Sequence, residues 1–148
     1  MISKKMRLFL PQIIWTGASI SFWSGMLAPM LTFQLKKQDK DMEEDLRLSK
    51  VLDALIFFGI GATSGGALMA SVIDKLTLKR TIIVNTVLLY ITISCTAWTV
   101  FTARFDWISF VTCFLWGFTD TGMAVHTHSV CGGEFSSATL SFAVLNIV

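Results

Sequence analysis

Four long stretches of this chain are almost free of charge, and that distribution constrains its fold more than any other feature. Leu8 to Leu35 runs for 28 residues with no charge and Thr81 to Ala103 for 23 with none. Val51 to Ile73 runs for 23 with only Asp53, and Trp107 to Val125 for 19 with only Asp120. Those 93 residues hold two of the 22 charges, and the other 55 hold twenty. A water-facing surface would scatter them. A bilayer core of about 30 Å is crossed by about 20 apolar helical residues rising about 1.5 Å each, and every stretch meets or approaches that length. In hydrocarbon each backbone amide must be bonded within the protein, which leaves helices or a closed barrel, and no alternating ten-residue strands are present. The expected fold class is all-α: a polytopic transmembrane helix bundle with spans at 8–35, 51–73, 81–103 and 107–127. A chain 53% hydrophobic and only 15% charged fits that class, and a net charge of +2 gives no reason to expect a nucleic-acid partner.

Lys36 to Lys50 is a mixed-charge, solvated connection, the turn from Asp74 to Arg80 is short, and that around Arg104 and Asp106 is shorter still. Short turns make consecutive helices antiparallel neighbours. Orientation should follow the Lys and Arg count of the short loops, but six positives fall on each side and the rule gives no direction. Lys4, Lys5 and Arg7 precede a run too long for the h-region of a signal peptide, so the first run reads as an inserted helix. From Ala138 another apolar run of eleven residues begins, an incomplete fifth helix, and a fragment of something longer is the expectation. Cys95, Cys113 and Cys131 have neither zinc-ligand nor redox spacing and read as small core residues. No metal or cofactor motif is present, and no nucleotide-binding loop.

Small residues crowd the second span. Gly61 and Gly65, like Ala62, Gly66 and Ala70, recur every four residues, and Gly59 lies just before them. Lipid supplies no hydrophobic drive between helices, so such faces are where membrane helices pack. Pro11 and Pro29 are expected to kink the first span. Asp120 is the most informative residue, because a charge deep in a span costs a few kcal/mol or more and must face a cavity or a partner. Gly117, Thr121, Ala124 and His128 share its side of the helix, and His126 lies off that line. Asp120, Thr121, His128 and Gly117 are thus the candidate ion or substrate pathway, whereas Asp53 is near enough to an end to snorkel.

The run Phe114-Leu115-Trp116-Gly117-Phe118-Thr119-Asp120 resembles the glycine-aspartate signature of helix ten in the uncoordinated-93 (Unc-93) family of the major facilitator superfamily. Phe142-Ala143-Val144-Leu145 resembles the start of its eleventh helix. Thr16-Gly17 with Phe22-Trp23-Ser24-Gly25 is similar to its seventh helix, and the run from Gly59 to Leu68 to its eighth. Asp74, Lys75, Lys79 and Arg80 resemble the charged turn shared by facilitator proteins. There are departures. Ala62 stands where many relatives have an acidic residue, Thr119 and Thr77 replace glycines, as does Ala70, and Ala124 and His126 replace asparagine and glutamine.

The resemblance implies part of the C-terminal six-helix half of a major facilitator fold, with the charged turn and the N-terminus cytoplasmic. It also implies a partner: the missing N-terminal half or another membrane chain. Two functions follow as expectations, neither enzymatic: a secondary transporter of a small solute or ion, inactive as a fragment, or a non-transporting accessory protein that regulates an ion channel or escorts a receptor. The expected location is the plasma membrane or an endomembrane.

Overall fold

The structure, a computed structural model, describes residues 14–75 and 78–133, with the side chains of 73–79, 131 and 133 outside that description. Four helical stretches make up nearly all of it: α1 (14–38), α2 (Glu44–Lys75), α3 (Leu78–Thr102) and α4 (Trp107–Gly133). No strand occurs among the described residues. Three of the helices, α2, α3 and α4, are long and apolar enough to cross a membrane. Residues 8–13 of the first expected span, Pro11 and the expected helix from 138 lie outside the described residues.

Burial is distributed as a bilayer requires and as water would not allow. The side chains turned inward include Gln34, Thr81, Asn85, Thr92, Thr99, Thr112 and His126, each less than a twentieth exposed. Those turned outward include Phe33, Ile83, Tyr90 and Phe101. In a soluble domain the large apolar groups go inside; in lipid the outside is apolar, and helices meet through small and polar residues. Inside the spans hydroxyls cost little because they bond to their own helix. Thr32 donates to the Ala28 carbonyl, Thr86 to Ile82 and Ser94 to Tyr90, at 2.8–2.9 Å. This is a multi-pass, all-α helical membrane protein.

Several helix ends lie beyond the charge-free runs. α2 begins at Glu44 rather than 51, and α4 continues to Gly133 rather than 127. The reason is electrostatic at α2, where Glu44 and Asp45 in the first turn favour the positive end of the helix. In α4 it is packing, since His126, Thr127 and Val130 are buried and hold the last turns. α1 runs on to Gln38, with Lys36 and Lys37 in its last turn. It is interrupted by a π-helical segment, Trp23–Leu27, that ends two residues before Pro29. Pro29 has no N–H for the Gly25 carbonyl and its ring crowds that oxygen, so the local loss of α-helical bonding has a covalent cause.

The chain order places the 39–43 and 103–106 connections at one end of the bundle, and the structure ties them together. The Phe105 N–H donates to Gln38 Oε1 at 3.0 Å. Beneath that, buried Gln34 donates from Nε2 to the Thr99 carbonyl at 3.2 Å and accepts from Ser109 Oγ at 3.4 Å, joining α1, α3 and α4. Asp106 caps α4, its Oδ1 accepting the Ile108 N–H at 3.0 Å. Trp98, Phe101 and Trp107 are exposed around this end, where amphipathic rings suit a membrane–water interface.

α3 ends in a left-handed cap at Ala103, whose φ is 48° and whose N–H bonds the Thr99 carbonyl at 3.0 Å. An alanine pays about 1–2 kcal/mol there that a glycine does not. Ala103→Gly, after the extra backbone entropy of glycine, is expected to stabilise the protein by about 0.5 kcal/mol. A higher unfolding temperature in detergent would show it; a lower one would mean that the alanine methyl matters more than the strain.

Candidate functional site

α4 is the central helix: 39% of its span is buried, against 17% for α2 and α3. Its closest neighbour is α2, and the approach is set by glycines on both sides. A Cβ at Gly61 would strike the Phe114 carbonyl, one at Gly65 the Phe118 carbonyl, and one at Gly117 the Phe58 carbonyl. In each case the obstacle is a backbone oxygen seated over a glycine Cα, the geometry of Cα–H···O contacts between closely packed helices. Gly66 joins this seam through the Thr121 methyl, 3.0 Å from where its Cβ would stand. Two expected members of the packing face lie elsewhere. Gly59 has open space around its Cβ position and Ala70 is exposed. Gly59 is two residues from Gly61, and two residues turn an α-helix through about 200°; Ala70 is similarly displaced from Gly65.

Asp120 stands midway along α4, with roughly 20 Å of helix on either side. Its carboxylate is half-buried and accepts a hydrogen bond from Ser19 Oγ at 3.0 Å, across the contact between α4 and α1. Ser19 is itself buried. Trp23, the first residue of the π segment, lies within electrostatic reach of the same carboxylate, although its buried Nε1–H makes no hydrogen bond of acceptable geometry. The ring stacks at 4.7 Å on Phe58 of α2. The preceding residue, Phe22, stacks at 4.7 Å on Trp116 of α4, whose indole N–H donates to Thr96 Oγ1 of α3 at 2.8 Å. A carboxylate at mid-span is therefore framed by aromatic rings and by the irregular turn of α1. Among the described residues the Lys and Arg of these helices, Lys36, Lys37, Arg47, Lys50 and Arg80, stand near the helix ends and not at mid-span beside it.

The other expected pathway residues do not gather there. Gly117 belongs to the seam with α2, and Thr121 turns its methyl to the same helix. His128 is exposed two turns further along α4, while His126, which the sequence places off the polar line, is buried. Of the charged turn, Arg80 is exposed; the side chains of Asp74, Lys75 and Lys79 lie outside the described residues. Ser19 carried no sequence signal, since a serine in a span reads as one bonded to its own helix, as Ser21 and Ser24 are, and Trp23 stood out only as part of the Phe22-Trp23-Ser24-Gly25 run. Cys113 is buried in the core and Cys95 half-buried, both with free thiols.

Family models, curated proteins and solved structures were compared with this chain, and none matches it.

Proposed function

We propose that this chain forms one wall of a solute pathway in a secondary transporter of the facilitator type, located in the plasma membrane or an endomembrane, with Asp120 binding the coupling cation or a cationic group of the solute. The observation that carries the reading is the Ser19–Asp120 pair: a carboxylate at mid-span, held by a single neutral hydrogen bond among the described residues. A buried carboxylate can accept about four hydrogen bonds, and an intramembrane acid without a cation partner is the usual mark of an ion or proton route. The π segment beside it supports the same reading, since discontinuous helices border the midplane sites of transporters. The glycine-aspartate run and the charged turn add the likeness to facilitator proteins.

The test uses membranes of cells that express the chain together with whatever membrane chain completes the pathway, with currents recorded on steps of proton or sodium concentration across a panel of small solutes. Asp120→Asn is expected to lower the solute-dependent current by about tenfold or more, because a lost ionic hydrogen bond is worth about 1.5–3 kcal/mol. Asp120→Glu should keep part of it. Full current in Asp120→Asn would sink the proposal. The alternative, a non-transporting accessory protein for a channel or receptor, draws on Ala62: α2 places alanine beside the Gly117 contact where relatives have an acid. That alternative predicts no current for either protein and a membrane partner released by Asp120→Asn.

A further inference from the structure

At the end of the bundle where the 103–106 connection joins α3 to α4, an open groove of about 290 Å³ runs between these two helices. Ser94, Cys95 and Trp98 of α3 line it, with Trp107, Ile108 and Val111 of α4. Its polar groups are spent or weak: Ser94 Oγ donates to the Tyr90 carbonyl at 2.8 Å, and Cys95 carries a free thiol, a poor hydrogen-bonding group. A polar solute would find no partner here, whereas an apolar chain needs none. Trp98 and Trp107 are 60% and 71% exposed, and exposed indole rings lie at the level of lipid headgroups. From that level the groove descends into the hydrocarbon, since Ser94 lies about 12 Å back along α3 from Thr102. Arg104 stands in the connection between the two helix ends, exposed and without an ion pair among the described residues. The nearest acid in the chain, Asp106, is half-buried and spends its Oδ1 on the Ile108 N–H.

We infer that this groove holds one acyl chain of a glycerophospholipid whose phosphate pairs with Arg104. The guanidinium carries five donors in a fork that matches phosphate oxygens, and it stands on the water side of the two tryptophans, where a phosphate lies. Below it the groove offers only what an acyl chain uses. Another helix fits less well, because helices approach through small residues and the exposed rim here is made of two indole rings. A sterol would bring one neutral hydroxyl and leave the arginine charge unmatched. A phospholipid supplies an anion at one end and an apolar chain at the other, in the order in which the arginine and the groove follow each other into the membrane. The inference is independent of the transport reading, since Asp120 lies about 14 Å further along α4 than Val111.

The test uses membranes of cells that express the full chain with any membrane chain that accompanies it, loaded with a phosphatidylcholine that carries a diazirine on one acyl chain. After illumination, cross-links on residues 94–98 and 107–111 are expected to exceed those on exposed Leu52, Ile56 and Ile60 of α2, which meet bulk lipid, by about fivefold. Arg104→Gln should remove most of that excess, a loss of about fivefold for one exposed ion pair, and leave the unfolding temperature unchanged because the side chain is exposed. Ser94→Trp, which fills the groove from an exposed position, should reduce it at least as far. A diacylglycerol probe with the same diazirine chain lacks the phosphate and should label the groove about fivefold less. Groove labelling no higher than that of the α2 face, an excess that survives Arg104→Gln or Ser94→Trp, or equal labelling by the diacylglycerol probe would each overturn the inference.

Discussion

Gly117→Val is expected to destabilise the protein by about 3 kcal/mol, the upper end for overpacking a close contact. The new side chain would overlap the Phe58 carbonyl and stand 2.8 Å from the Ala62 nitrogen at its first carbon alone. Both obstacles are backbone, so no rotamer change relieves the clash and α2 must move away from α4. Separation then forfeits the Gly61 and Gly65 contacts as well, and lipid returns nothing for them because acyl chains are as apolar as the surfaces parted. Gly61→Val should behave alike. Gly59→Ala is the control: nothing stands within 4 Å of that position, so the change should be neutral or stabilising by up to about 0.5–1 kcal/mol from helix propensity. Thermal unfolding in detergent distinguishes the three. Equal losses at Gly59 and Gly117 would mean that glycine in these helices matters for chain flexibility and not for packing.

The helices were legible in the sequence because charge cannot be buried in lipid without a partner, and four runs avoid it. Their ends were less legible. Hydropathy stops at Val51 and near Thr127, whereas helix α2 persists outward through favourable first-turn carboxylates and helix α4 through buried His126 and Val130. The small-residue face was legible as a face but not in its angle. Residues 61 and 65 take the backbone contacts of the seam, 66 meets only a side-chain methyl at its edge and 70 is exposed; the two four-residue rows differ by about 100°, which spacing alone does not resolve.

At the site, Asp120 announced itself by cost, but its partner did not. Ser19 lies 101 residues away and resembles every other self-bonded hydroxyl in the spans. The histidines show the same limit. A polar line drawn through Asp120 selects His128, which is exposed, whereas α4 buries the side holding Thr112, Thr119 and His126. Being the central helix, α4 has neighbours on more than one side, so no single polar stripe marks its interior.

Trp116→Ala is expected to cost about 3–5 kcal/mol, the range for removing a buried large aromatic ring. Trp116 is 4% exposed, it belongs to the apolar core with Leu27, Leu31 and Val51, and from α4 it joins two other helices through two kinds of contact. Its ring stacks on Phe22 of α1, its N–H reaches Thr96 of α3, and its backbone lies in α4 next to the glycine that seats α2. Trp116→Phe separates these contributions: the stack survives and the hydrogen bond does not, so the loss should fall to about 1–2 kcal/mol, chiefly the bond and the Thr96 oxygen left without its donor. The consequence reaches the candidate site. Phe22 and Ser19 share the stretch of α1 just before the π segment, so without the Trp116 ring that stretch loses its anchor and Ser19 no longer stands reliably beside Asp120. Trp116→Ala, assayed at a temperature where it remains folded, should therefore lower solute-dependent current nearly as far as Asp120→Asn, and Trp116→Phe should leave most of it. Equal unfolding temperatures for the two tryptophan variants would show that the hydrogen bond and not the stacked ring holds α1 against α4, and a normal current in Trp116→Ala would show that Asp120 acts without Ser19.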